Sequence, residues 1–82
     1  MSVMTCQMAL YPLNTRESSQ VIAEILAQMD WEGVDVQVGS MSTVIRGEEK
    51  VVWEKIRVFY TLATRDHQIV LNLSVSNECG CR

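Results

Sequence analysis

The chain has 82 residues, of which 48% are hydrophobic and 21% charged, and its formal net charge is -3 at pH 7. A chain of this length has apolar material for one core only, and it buries about 60–65% of its unfolded surface, so we expect a single marginally stable domain that self-associates. The negative charge without a Lys or Arg cluster argues against a nucleic-acid partner. No apolar run approaches the roughly 20 residues of a membrane span, and no signal-peptide pattern opens the chain, so we expect a cytoplasmic protein with no membrane contact.

The first predicted strand covers residues 3–11, where apolar and polar side chains alternate. A period of two is typical of a half-buried strand. Pro12 is expected to end it, because proline has no N–H to donate to a neighbouring strand. Asn14 and Glu17 have the spacing of a capping box, so a helix should begin there or at Ser18.

The first predicted helix has one apolar face, made of Val21, Ile22, Ile25, Leu26 and Met29. This spacing is typical of an amphipathic helix packed on a core. Gly33 is expected to take the left-handed conformation after the helix end. Trp31 lies in the connection, where it either stacks on a ligand or partner or, as is more common for a tryptophan at a helix end, covers the core.

A hairpin is predicted next. Its first strand alternates three valines with polar residues: Val34, Asp35, Val36, Gln37 and Val38. Gly39 and Ser40 turn the chain into a third strand over residues 42–46, which Gly47 is expected to break.

Three hydroxyl-bearing residues, Ser40, Ser42 and Thr43, fall in this connection. At the rim of a sheet such hydroxyls can orient a small ligand. The alternative is a plain turn, in which Ser42 and Thr43 satisfy their own backbone and nothing binds.

Helical spacing returns from Glu48 to about residue 64, with an apolar stripe of Val52, Ile56, Phe59 and Ala63. Glu48 suits the positive end of the helix dipole and Arg65 the negative end. Trp53 lies off the stripe near Arg57, so that a cation–π pair and a subunit contact are both open. Residues 69–76 alternate again and predict a fourth strand.

The order βαββαβ with short connections predicts an α+β, ferredoxin-like sandwich over residues 1–82, in which two helices cover one face of a four-stranded antiparallel sheet with strands one and three central. The face under the helices would carry Met4, Met8, Leu10, Val36, Leu71 and Leu73. The other face would carry Thr5, Gln7, Ala9, Tyr11, Gln37, Asn72 and Ser74. This mixed face is expected to be a partner interface or the floor of a small-molecule site.

The sequence offers no catalytic constellation: it lacks a well-spaced Cys/His pair, a Gly-rich phosphate loop and paired carboxylates on one face. Its three cysteines are an odd number, which favours a reducing compartment. Cys79 and Cys81 could ligate a soft metal, but a closed zinc site needs four ligands, and only Cys6 and His67 remain. We therefore expect a protein that is not an enzyme and has neither cofactor nor metal.

Three segments resemble the thiamine-binding YkoF-like family: Tyr11-Pro12-Leu13, the stretch Gly39-Ser40-Met41-Ser42-Thr43-Val44-Ile45-Arg46-Gly47-Glu48, and Ser74-Val75-Ser76-Asn77-Glu78-Cys79. The resemblance covers nearly the whole chain. It implies a ferredoxin-like fold, assembly into homodimers or homotetramers, and non-catalytic binding of thiamine or hydroxymethylpyrimidine in bacterial or archaeal thiamine salvage or uptake. The alternative is an oligomeric interaction module without a small-molecule ligand.

The resemblance also implies the ligand-binding residues, which are Met41, Ser42, Thr43, Ser76, Asn77 and Tyr11. Hydroxyl and amide groups match the donors and acceptors of an aminopyrimidine in an apolar slot. The family usually has proline after its closing cysteine, whereas Gly80 and Cys81 follow here, so one wall of the pocket is expected to differ.

Overall fold

The computed structural model describes residues 2–78, so the predictions for Cys79 and Cys81 lie outside the described residues. Its elements are β1 (Val3–Pro12), α1 (Ser18–Gln28), β2 (Val34–Val38), β3 (Thr43–Glu48), α2 (Glu49–Asp66) and β4 (Ile69–Ser76). They form one antiparallel sheet in the order β2-β3-β1-β4. The predicted α+β, ferredoxin-like βαββαβ fold is confirmed, with β1 and β3 central. Within residues 2–78, neither helix is long and apolar enough to cross a membrane.

The core lies between the helices and the two central strands. On β1 the predicted alternation buries every second side chain, namely Met4, Cys6, Met8 and Leu10. Phe59 of α2 is 2% exposed and packs in the same cluster. Trp31 is partly buried against this cluster, with its ring centroid 6.4 Å from that of Phe59. The connection between α1 and β2 therefore contributes a side chain that covers the core, which is the commoner of the two interpretations given for Trp31.

The helices cover the central strands better than the edge strands. On the helix side of β4, Leu73 is 40% and Val75 50% exposed, and Val38 of β2 is similarly open. The strand register confirms the seven residues predicted for the opposite face. They are Thr5, Gln7, Ala9, Tyr11, Gln37, Asn72 and Ser74. We call this face the open face.

The predicted capping box at Asn14 and Glu17 is wrong. The Leu13 N–H donates to the Gln68 carbonyl at 2.8 Å, which keeps the chain beside the start of β4. Asn14 then takes a left-handed conformation with φ of 59°, and its Nδ2 donates to Oε1 of Gln68 at 3.2 Å. Because Asn14 is used in this turn, α1 begins at the alternative position, Ser18, and no side-chain hydrogen bond caps it.

The prediction that Gly47 breaks the third strand is also wrong. Gly47 pairs with Met4 on one side and Val34 on the other, and β3 continues to Glu48. A Cβ at Gly47 would lie 3.0 Å from Cγ1 of Val34 and 3.1 Å from the Gly33 carbonyl oxygen. The glycine therefore permits the close approach of β2. Gly33 does adopt a positive φ, 94°, but in the turn before β2, well beyond the end of α1.

The core position of Phe59 predicts a contrast with its neighbour Tyr60, which is 53% exposed. Phe59→Ala should lower the free energy of unfolding by about 3–5 kcal/mol because it leaves a cavity, and Phe59→Leu by about 1–2 kcal/mol. Tyr60→Ala should cost less than about 1 kcal/mol. Urea unfolding of the three variants measures this, and equal losses at both positions would contradict the described packing.

Candidate functional site

The connection between β2 and β3 covers a small cavity of about 80 Å³ between the sheet and the helices. The Gly39 N–H donates to the Ser42 carbonyl at 2.8 Å, which closes a tight turn. Met41 lies at the tip of this turn and is 82% exposed. We call the space below it the hairpin cavity.

The hairpin cavity has an apolar wall and a polar mouth. Its apolar lining residues are Met8, Leu10, Ile22, Leu26, Val38, Met41 and Phe59. Its hydroxyl-bearing lining residues are Ser40, Ser42 and Thr43. This combination is typical of small-molecule sites, in which a few polar groups orient a ligand against apolar walls.

The hydroxyls of Ser42 and Thr43 have different surroundings. Thr43 is 6% exposed and pairs with Met8, so it lies on the helix side of the sheet with the cavity. The Ser42 hydroxyl accepts a hydrogen bond of 3.1 Å from Nε2 of Gln7, a residue of the open face. A ligand in the cavity would therefore meet the Thr43 hydroxyl first, while Ser42 contributes to the mouth.

Ser76 and Asn77 lie at the opposite end of the sheet. Ser76 pairs with Thr5 of β1, whereas Thr43 pairs with Met8, three residues or about 10 Å further along the strand. The Ser76 hydroxyl accepts from the Glu78 N–H at 3.0 Å, and the Thr5 hydroxyl donates to the Glu78 carbonyl at 3.3 Å. These two hydrogen bonds hold the end of β4 beside β1.

Ser76 and Asn77 line a second groove of about 300 Å³. Its other lining residues are Ser2, Val3, Met4, Glu49, Trp53 and Val75. We call it the α2 groove, because Glu49 and Trp53 lie in the first turns of α2. Sequence reasoning missed both residues as site candidates, although their i, i+4 spacing places them side by side on the helix.

Tyr11 occupies a third location. It pairs with Val70 on the open face and is 47% exposed. The structure thus brings Met41, Ser42 and Thr43 together, but within one chain it separates them from Tyr11 and from the pair Ser76 and Asn77.

The open face carries a shallow groove of about 380 Å³, lined by Thr5, Asp35, Val36, Gln37, Val44 and Arg46. Asp35 and Arg46 are opposite each other in the β2–β3 register. Sequence reasoning also missed this charged pair, although counting back from the hairpin turn would have placed the two residues on neighbouring strands.

Cys6 has none of the features of a reactive thiol. It is 0% exposed, and burial raises its pKa to about 11. A thiol in such surroundings stays protonated and is a poor nucleophile or metal ligand. Among residues 2–78, no group of three or more His, Cys, Asp or Glu side chains is placed to hold a metal ion.

The family model described as the YKOF-related family matches residues 3–82. No curated protein matches the chain. Solved structures with a similar fold include a candidate thiamine biosynthesis or salvage protein from Thermotoga maritima, with 17% identity, a TM-score of 0.78, and coverage of 95% of this chain and 86% of that one.

A Streptococcus pneumoniae protein has 17% identity and a TM-score of 0.81, and the match covers 90% of this chain and 84% of that one. A Bacillus cereus domain of unknown function has 18% identity and a TM-score of 0.71, with 96% and 79% covered. At these identities the structural matches show the fold alone.

The buried thiol predicts a loss of stability at alkaline pH. Because the pKa of Cys6 in the folded chain, about 11, lies above its ordinary value of 9.0, the stabilisation is complete below pH 9 and is lost as the pH rises towards 11. The full loss in the free energy of unfolding is about 2–3 kcal/mol. Urea unfolding at pH 8 and pH 10.5 measures it in a Cys79→Ser, Cys81→Ser background, where Cys6 is the remaining cysteine.

The control is the same background with Cys6→Ala, which removes the thiol and leaves every other residue unchanged. The difference between the two proteins should shrink at high pH. An unchanged difference would contradict the assignment of the shift to Cys6.

Proposed function

Because the chain belongs to the YKOF-related family, we propose that it binds thiamine or its hydroxymethylpyrimidine portion, without catalysis, in cytoplasmic thiamine salvage or uptake. The resemblance of residues 39–48 to thiamine-binding sequences supports this proposal. So does the similar fold of a Thermotoga maritima protein described as a candidate thiamine biosynthesis or salvage protein. The observation that carries the proposal is the hairpin cavity, an apolar slot with hydroxyls at its mouth.

The chemistry of the hairpin cavity suits an aminopyrimidine. The flat ring would lie against Phe59 and Leu26. Its ring nitrogens accept hydrogen bonds and its amino group donates them, so the hydroxyl of Thr43 can serve either group. Ser40 and Ser42 at the mouth are suited to contact the hydroxymethyl substituent, which lies at the edge of the ring.

Ligand entry would require the hairpin tip to move. An apolar cavity that holds a benzene ring measures about 150 Å³, whereas the hairpin cavity measures about 80 Å³. Met41 is exposed and unbranched, and such a side chain can change rotamer at low cost. We expect the tip at residues 40–42 to lift and then to close over the bound ring.

We also propose that the protein forms homodimers or homotetramers through the open face. Tyr11 and Val70 are paired there, and they are 47% and 46% exposed. Asn72 and Gln7 add amide groups further along the same face, towards the other end of β1. Exposed aromatic and aliphatic side chains next to hydrogen-bonding groups are typical of protein interfaces. The same observation supports the second candidate function, an interaction module without a small-molecule ligand.

Binding is tested by isothermal calorimetry with hydroxymethylpyrimidine and then thiamine. We expect about one ligand per chain. Thr43→Val keeps the shape of the side chain but removes the hydroxyl, so it should weaken hydroxymethylpyrimidine binding about tenfold, the equivalent of one hydrogen bond. Ser42→Ala should have a smaller effect because Gln7 already uses that hydroxyl.

The matched control is Asn77→Ala, at the other end of the sheet, which should leave hydroxymethylpyrimidine affinity within about twofold of the unsubstituted protein. If Asn77→Ala and Thr43→Val weaken binding equally, the ligand contacts both ends and the hairpin cavity is not the whole site. A flat trace for both ligands would refute the proposed function and favour the interaction module.

Assembly is tested by Asn72→Lys, which adds a charge beside Ala9 in the middle of the open face. If this face is buried between subunits, an unpaired ammonium there should raise the dissociation constant of the oligomer by at least tenfold. Sedimentation velocity over a range of concentrations measures the shift. Gln28→Lys, on exposed α1 surface, is the control for net charge. An oligomer that is unchanged in Asn72→Lys would exclude the open face.

A further inference from the structure

The tip of the β2–β3 hairpin carries an accessible thioether at the mouth of the hairpin cavity. Met41 lines this cavity and is 82% exposed. Of the other methionines that the structure describes, Met4 is 6%, Met8 2% and Met29 8% exposed, and all three belong to the core. Among the described residues, Met41 is therefore the one methionine whose side chain is open to solvent.

Met8 provides a comparison within the same cavity. It also lines the hairpin cavity, but it lies on the central strand β1 and is buried under the helices. The reaction of methionine with an oxidant follows exposure, because the oxidant must reach the sulfur. Met8 can react only when this part of the core opens, which requires a large share of the free energy of unfolding. Met41 can react while the protein stays folded.

From this contrast we infer that Met41 is a site of reversible oxidation by hydrogen peroxide or an alkyl hydroperoxide, and that its sulfoxide lowers the affinity of the hairpin cavity for its ligand. The modification site follows from the exposure of Met41 and the burial of the other described methionines. The effect on affinity rests on the proposed function, because it requires a ligand in the cavity.

The reaction transfers one oxygen atom from the peroxide to the thioether. A lone pair of the Met41 sulfur attacks one peroxide oxygen, the O–O bond breaks, and an S–O bond forms. The proton of the transferred oxygen passes to the leaving oxygen, which departs as water or, from an alkyl hydroperoxide, as an alcohol. The sulfur loses two electrons and the peroxide gains them. A sulfoxide reductase reverses the step by oxidising two thiols to a disulfide and releasing the oxygen as water.

A sulfoxide at the hairpin tip, residues 40–42, does not suit the apolar wall below it. This wall includes Leu10, Ile22, Leu26 and Phe59. A thioether packs against such side chains at low cost. A sulfoxide oxygen is a strong hydrogen-bond acceptor, and burying it without a donor is unfavourable. The oxidised tip should therefore stay lifted instead of closing over a bound ring.

The hydroxyls beside Met41 add a second effect. Ser40 and Ser42 flank Met41 in the chain and line the mouth of the cavity. The Ser42 hydroxyl accepts a hydrogen bond of 3.1 Å from Nε2 of Gln7, which leaves its own proton available for donation. The sulfoxide oxygen would compete with the ligand for this proton. Both effects act against ligand binding.

The modification site is tested by treating the folded protein with hydrogen peroxide in the Cys79→Ser, Cys81→Ser background, where these two thiols cannot consume the oxidant. Peptide mapping by mass spectrometry follows each methionine separately. Met41 should react about tenfold faster than Met8 or more, and the two rates should become equal in urea. Because Met41 lies outside the core, its oxidation should change the melting temperature by less than about 4 °C.

The effect on affinity is tested by calorimetry with hydroxymethylpyrimidine and two variants at position 41. Oxidation of the unsubstituted methionine should weaken binding about fivefold or more, and a sulfoxide reductase with dithiothreitol should restore it. Met41→Gln places a polar side chain at the tip without any oxidant and should weaken binding to a similar extent. Met41→Leu has no sulfur at the tip, so its affinity should be the same before and after treatment with peroxide.

Oxidation of Met41 that is no faster than that of Met8 would overturn the inference, since the Met41 sulfur would then be covered in solution. So would a protein oxidised at Met41 that keeps its full affinity for hydroxymethylpyrimidine. If the unoxidised protein does not bind hydroxymethylpyrimidine, the proposed function and the effect on affinity both fail, whereas the rates of Met41 and Met8 still decide the modification site. The two failures are therefore distinguishable.

Discussion

The fold depends on the alternation of β1, because this strand pairs with both β3 and β4 and also supplies the core. Met4, Cys6, Met8 and Leu10 point under the helices, so the register on both sides is fixed by which face is buried. A shift of either neighbour by one residue would turn its apolar side chains to the open face. The positions of the hairpin cavity and the α2 groove follow from this one register.

Most of the fold could be predicted because its determinants are local. Alternation over residues 3–11 and 69–76 and the helical stripe ending at Ala63 each lie within a short window. The predicted capping box was wrong because a contact between residues distant in sequence, Leu13 and Gln68, sets the path of the chain at Asn14. The prediction for Gly47 was wrong for a related reason. This glycine lets Val34 of β2 approach closely, and the residues around Gly47 in the sequence do not indicate where β2 lies.

The candidate site was harder to predict than the fold. The resemblance identified Thr43 and Asn77 as members of one set, but a resemblance carries no distances. The β1 partners of Thr43 and of Ser76, the neighbour of Asn77, are three residues or about 10 Å apart. Glu49 and Trp53 were missed as site residues because helical spacing alone does not reveal that α2 leaves the end of β4 uncovered. Exposure on the helix side of an edge strand, as at Val75, is a property of packing that the strand pattern does not contain.

The hairpin cavity and the α2 groove differ in the chemistry of the side chains that line them. The hairpin cavity combines apolar walls with hydroxyls and has no charged lining residue among those described, so it suits a neutral ring that is recognised by hydrogen bonds. The α2 groove instead combines an exposed indole with a carboxylate. Thr5 and Met8, the β1 partners of Ser76 and Thr43, are three residues or about 10 Å apart, so within one chain the two sets of polar groups stay separate. They would come together only if an assembly placed the hairpin of one subunit next to the end of β4 of another.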